Sequence, residues 1–160
     1  DGDGENRIME DEETWQIVYD TEVASPGNVT EVSIFISCDE NSQGFLTDGQ
    51  DTVDWSILPP AGVDATDLTL SGSIDCGGAD GVMNFEGDYF IPEDGVFAES
   101  RKAVENMIVW TNTGEGAWTI IIEANVEGGS TPGSNDPDLE AWYGVSVEYI
   151  DEIVITKEDD

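Results

Sequence analysis

Histidine is absent from this chain, and four Lys and Arg stand against 37 Asp and Glu. Without His the commonest general base is missing, and neither a Ser-His-Asp nor a Cys-His arrangement can be built. Carboxylate pairs can serve glycoside hydrolysis. With so many acids, though, such pairs arise by chance between any two strands, so a non-enzymatic chain is the expectation. The shortage of cations excludes nucleic acid as a partner, because phosphate binding needs clustered Lys and Arg. It excludes an anionic membrane surface for the same reason. Long apolar runs are missing too. The longest aliphatic pieces, "MIVW" and "TIII", are strand-sized and far from the roughly 18 residues of a membrane helix. The sequence opens "DGDGENRIMEDEETW", with neither an initiator Met nor an apolar leader region; a mature or truncated ectodomain is expected.

Cysteine is scarce but patterned. Cys38 and Cys76 each follow an apolar run and precede an Asp- and Gly-rich loop, "SCDEN" and "DCGGADG". In a chain that reads as secreted, such matched contexts predict a disulfide. Two buried thiols are the rival reading. Zinc is disfavoured, since no His and no third Cys can complete a tetrahedral set.

What is abundant is negative charge, a formal −33 over 160 residues. Such a surface repels itself and opposes compaction. Salt relieves the repulsion, because the Debye length falls from about 10 Å at 0.1 M to about 3 Å at 1 M. Divalent cations held between carboxylates relieve it as well. Sea water and brine supply both, so a marine or halophilic extracellular setting fits the composition, and so does a coat that serves solubility alone.

Apolar residues make up 38% of the chain, enough for one core in a domain of this length. Seven of the first thirteen residues are acidic, which predicts a solvated arm over 1–13 and one domain over 14–160. From Trp15 the period is two. "TWQIVYD" alternates Trp15, Ile17 and Tyr19; "VSIFI" alternates Val32, Ile34 and Ile36; "VDWSI" alternates Val53, Trp55 and Ile57. "AWTIIIEA" and "VSVEY" repeat the pattern, and "DLTLSGSI", "VMNFEGDYFI", "NMIVWT" and "EIVIT" are further candidates. "GVFAESRKAVENM" allows one helical turn at most. About nine short strands with Gly, Pro, Asp and Asn between them predict an all-β antiparallel sandwich or jelly roll.

Calcium is the candidate cofactor. "CDENSQGFLTDGQD" can be laid on an EF-hand loop, with Asp39, Asn41 and Gln43 at the first three ligand positions and Gly44 at the sixth. The twelfth position is Gln50, which has no carboxylate, and no flanking helix is expected. What survives is a loop whose Asp39, Asn41, Asp48 and Asp51 can gather round a hard cation; a plain turn is the alternative. Asp136, Asp138 and Glu140 in "SNDPDLE" form a second candidate set, and "DGDGEN" at the start a third. "NVT" makes Asn28 a glycosylation acceptor.

The stretch "GEGAWTIIIEANVEGGSTPGSNDPDLEAWYGVSVEY" resembles the closing strands of P-domains, the jelly-roll modules that accompany subtilisin-like proteases. Gly116, Trp118, Gly128, Gly129 and Trp142 occupy the places of that pattern: a Gly, a Trp-bearing strand, an Asp/Gly-rich loop and a second Trp opening the last strand. "DTVDWSILPPAGV" looks like an earlier strand of the family. The match covers about a third of the chain, and neither the acidic arm nor the cysteine pair belongs to it. The resemblance implies a jelly roll and an accessory, non-catalytic role.

Two functions are therefore expected. One is a structural or interaction subunit of a cell-surface or extracellular assembly, a filament, sheath, surface layer or adhesin, with copies of itself or other surface proteins as partners. The segment "ETWQIVYDTEV" is its expected pairing strand. The other is a calcium-dependent carbohydrate-binding module, which would need Trp side chains on a solvent face.

Overall fold

Period-two alternation puts one set of side chains on each face of a strand, and the chain uses it throughout. The computed structural model describes residues 2–21, 28–40, 51–78, 81–90, 98–126 and 138–150. They form ten strands and one short helix: β1 Gly2–Glu10, β2 Thr14–Asp20, β3 Asn28–Glu40, β4 Thr52–Leu58, β5 Ser71–Asp75, β6 Met83–Glu86, β7 Asp88–Phe90, α1 Arg101–Glu105, β8 Val109–Asn112, β9 Ala117–Asn125 and β10 Asp138–Ile150. All pairings are antiparallel. Sheet A runs β1-β10-β3-β6, sheet B runs β2-β9-β4-β5, and β7 pairs β8 separately.

Sheets A and B stack as two layers on one core. Sheet A contributes Met9, Val32, Ile34, Ile36, Phe85, Leu139 and Val145; sheet B contributes Trp15, Val53, Trp55, Ile57, Trp118, Ile120 and Ile122. Trp118 heads the fully buried side chains. Its indole N–H is satisfied by the Gly114 carbonyl at 2.9 Å, as a buried donor requires. Thr21, also buried, donates from Oγ1 to the same carbonyl at 2.8 Å and accepts from the Gly116 N–H at 2.9 Å. Gly116 has φ +122°, and a Cβ there would stand 2.6 Å from Cβ of Pro60, so only glycine suits this turn into β9.

Cys38 and Cys76 are bonded, with an S–S distance of 2.10 Å across 38 residues of sequence. Cys38 lies on the inner face of β3 and Cys76 directly follows β5, so the bond ties sheet A to sheet B at one end of the layers. Hydrogen bonds from the Gly77 N–H to the Cys38 carbonyl at 2.7 Å and from the Cys76 N–H to the Asp51 carbonyl at 2.8 Å hold the same junction.

The acidic N-terminal segment departs from the expected solvated arm. Residues 2–10 are β1, in register with β10 from Gly2 opposite Ser146 to Glu10 opposite Asp138. Met9 is its one buried anchor, and residues 3–8 stay exposed. A strand at a sheet edge can pair its backbone while its carboxylates remain in water, so acidity alone did not forbid it. Asp3 and Glu5 instead act on their neighbours: burial raises the Tyr143 phenol pKa first, and the two carboxylates raise it further. The β1–β2 corner is fixed by Glu12 at φ 64° and by the Arg7–Glu13 ion pair at 2.8 Å.

One smaller difference has a local cause. "VMNFEGDYFI" divides into β6 and β7 at Gly87, where a Cβ would meet the Asn112 carbonyl oxygen at 2.9 Å. The helical turn expected near Arg101 is present as α1, capped by Ser100, whose side chain accepts from the Ala103 N–H. "EIVIT" lies outside the described residues.

Candidate functional site

Four of the acidic residues singled out in sequence, Asp39, Asp51, Asp138 and Glu140, lie at the disulfide end of the layers. Asp39 near the end of β3 and Glu140 near the start of β10 stand directly opposite in register, although they belong to different sequence motifs. Both are exposed, and Glu140 Oε1 accepts from the Asn6 amide at 3.1 Å. Asp138, half-buried, opens β10 opposite Glu10. Asp51 behaves differently from the rest. It is fully buried beside the disulfide, and its N–H donates to Glu40 Oε1 at 3.0 Å. Asn41, Asp48 and Asp136 lie outside the described residues, as do Gly128 and Gly129. Asn28 is the first residue of β3, opposite Ile150; its side chain is not among those described.

Among the described residues no group of three or more acidic, His or Cys side chains is placed to hold a metal ion. The facing Asp39 and Glu140 carboxylates supply two ligand groups, short of the about six to eight oxygens calcium takes.

A second surface emerges on the outer face of sheet A, where the sequence marked only Asp39 and Glu140 at one end. Antiparallel register arranges it in rows across the strands. Ile8, Glu140 and Asp39 form one row; Asn6, Trp142 and Ser37 the next; then Gly4, Gly144 and Phe35. Ser146, Ser33 and Asn84 follow, and Glu148, Glu31 and Glu86 close the face. The three middle rows carry no charged side chain, and carboxylates bound them at both ends.

Two glycines shape the middle of this face. The Trp142 indole lies down along the sheet over Gly144, where a Cβ would meet Cη2 and Cζ2 at 2.9 Å. A Cβ at Gly4 would stand 3.5 Å from Trp142 Nε1 and 3.0 Å from the Tyr143 carbonyl oxygen. The result is a shallow depression of about 470 Å³ lined by Asp3, Gly4, Phe35, Trp142, Gly144, Val145 and Ser146. Trp142 and Phe35 are each half-buried in it. The sequence did carry the signal: in "AWYGVSVEY" the positions alternating with Tyr143, Val145 and Val147 are Trp, Gly and Ser.

Three of the five Trp are core: Trp15, Trp55 and Trp118. Trp110 sits on β8 against Tyr89, with ring centroids 5.0 Å apart. Two Trp side by side on a solvent face, which would favour carbohydrate binding, are not found among the described residues. Trp142 has Phe35 rather than a second Trp beside its glycine floor.

No protein-family model matches this chain, and neither a curated protein nor a solved structure matches it. No helix among the described residues is long and apolar enough to cross a membrane.

Proposed function

We propose that the chain is a non-catalytic jelly-roll module of an extracellular or cell-surface assembly, joined to copies of itself through the side of β2 that pairs with no described strand. The strand orders support the jelly roll. With β7 and β8 set aside and the rest renumbered, they read 1-8-3-6 and 2-7-4-5, the order of two interlocked Greek keys. That order, with Trp118 and Trp142 on successive strands β9 and β10, favours the P-domain resemblance as a likeness of fold, from which no activity follows. The disulfide favours an oxidising compartment.

The carrying observation is the contrast among the four sheet edges. Edge strands are normally blunted by charge, brevity or irregularity. β1 carries Asp3, Glu5 and Arg7, all exposed, at positions alternating with Met9, β6 has four residues and β5 five. β2 is less guarded: it has seven residues, its one charge is the terminal Asp20, "TWQIVY" before it contains no Pro, and Val18 is 58% exposed. Beside it on the outer face, Val18, Thr119 and Leu58 form a row across β2, β9 and β4, with Leu58 56% exposed.

Sedimentation velocity over a concentration series in molar NaCl tests the proposal. Concentration-dependent oligomers are expected, and Val18→Lys, which places a cation on β2, is expected to leave monomers. A wild-type chain that stays monomeric throughout would overturn it. Deleting residues 1–20 is not a usable test, because Met9 and Trp15 belong to the core.

A further inference from the structure

We propose that the outer face of sheet A is a binding platform for a neutral, equatorially linked polysaccharide, with Trp142 and Phe35 stacking under pyranose rings. The platform is distinguished first by what it omits. The chain has 37 acidic residues in 160, yet three successive rows across β1, β10 and β3, the last reaching β6, hold only Asn, Ser, Gly, Trp and Phe, and Asp3 is the one acidic residue lining the depression. A surface meant only to stay solvated gains nothing from such a gap. A surface that must touch an uncharged partner does, because each carboxylate brought against such a partner would be desolvated without a counter-ion.

Shape and polarity then narrow the partner. Two rows of spacing along the strands give about 13 Å, and two strand intervals across give about 10 Å, widening to about 14 Å where the Ser146 row reaches β6, room for about two sugar rings. Gly4 and Gly144 keep the floor low, so the indole lies along the sheet instead of standing from it. The depression is wide and shallow, which suits a ribbon of rings better than a small enclosed ligand. The apolar C–H face of a pyranose matches an aromatic face. Its hydroxyls match the surrounding amides and hydroxyls of Asn6, Ser37, Ser146, Ser33 and Asn84, each able to donate or accept. The carboxylates beyond the rows, Glu140 and Asp39 at one end and Glu31, Glu86 and Glu148 at the other, repel sulfated or uronic chains. Neutral glycans are the class that remains.

The platform and the β2 edge lie on different sheets, so either can fail alone. The test is depletion of the intact disulfide-bonded protein from solution by insoluble cellulose and by chitin in molar NaCl, with titration of cellohexaose and chitohexaose against Trp emission. Binding to at least one of the two glycans is expected, with no binding to dextran sulfate. Trp142→Ala and Phe35→Ala should each weaken it tenfold or more. Ser146→Glu, which adds a charge to the middle rows on an exposed position, should do the same with the melting temperature unchanged. Trp110→Ala should leave binding intact. Absence of binding to both neutral glycans would overturn the proposal, as would binding that survives both Trp142→Ala and Ser146→Glu.

Discussion

The outer faces of the two sheets invite comparison, because their inner faces are built alike. Both sheets line the core with alternating β-branched and aromatic side chains. Outside, sheet A presents an indole laid over glycine, with Ser and Asn around it. Sheet B presents Val18, Ile121 and Leu58 near one end, and Glu123, Asp54 and Asp75 toward the disulfide end. One uncharged patch is aromatic and sits on the sheet's middle strands. The other is aliphatic and runs to the less guarded edge. Aliphatic side chains at an outer strand favour another strand, whereas a low aromatic floor favours a flat ring. In a chain this acidic, the places without charge are the informative ones.

The sharpest way to separate inside from outside is to truncate one Trp on each. Trp118→Ala removes the largest fully buried side chain and strips the Gly114 carbonyl of its indole donor. A loss of about 5 kcal/mol is expected, at the upper end for such truncations, and it should appear as a fall in melting temperature of about 10 °C or more. Trp142→Ala, half-exposed on the outer face, should cost about 1 kcal/mol or less. Equal losses in thermal denaturation would mean that Trp142 is structural and the comparison of faces is misplaced.

Reducing the Cys38–Cys76 bond, or replacing both residues with Ser, should cost about 4 kcal/mol for a loop of this length in the chain-entropy model. The bond joins the two sheets, so both outer faces should weaken together in hydrogen exchange. Loss confined to one sheet would show that the layers are coupled by the core alone.

Much of this fold was legible. "TWQIVYD" gave β2 to the residue, because its alternation is strong and both ends carry polar breaks. The cysteine contexts foretold the bond because each sits at the same kind of strand end. β1 was not legible: "GDGENRIME" has one core side chain, and its pairing with β10 is a tertiary effect that local pattern does not encode. The candidate site was half legible. Asp39 and Glu140 were marked, but their meeting depends on the register of β3 with β10. Trp142 drew notice as a family-like position, whereas the platform exists only once Phe35, Gly4 and Gly144 are brought beside it from three strands.

The edge contrast is tested by charge placed on β2 against charge placed on β1. Val18→Lys should change stability by less than about 0.5 kcal/mol, since the side chain is exposed, while removing oligomers. Ile8→Lys, at a residue 59% exposed on the already guarded edge, should leave oligomers intact. If both substitutions act alike on sedimentation, a general charge effect and not the β2 edge would govern assembly.

The smallest expected effect lies at the corner where the chain passes from sheet A to sheet B. Glu13 Oε2 accepts the Glu10 N–H at 2.9 Å, and its Oε1 meets Arg7 Nη2 at 2.8 Å. The backbone hydrogen bond, followed by the Arg7 charge, holds the Glu13 carboxyl below its ordinary value of 4.5. A depressed carboxyl pKa means that the folded state favours the ionised form. Its contribution is therefore complete above pH 4.5 and fades as pH falls through the lower folded value. Glu13→Gln keeps the shape and removes the ionisation. The variant should be slightly less stable than wild type at pH 7, and the gap should close progressively as pH falls below 4.5. Because the pair is exposed, the gap should also shrink in molar salt. Denaturation curves of the two proteins at pH 7, 4.5 and 3 check this, and a gap that widens toward acid would reverse the sign of the argument.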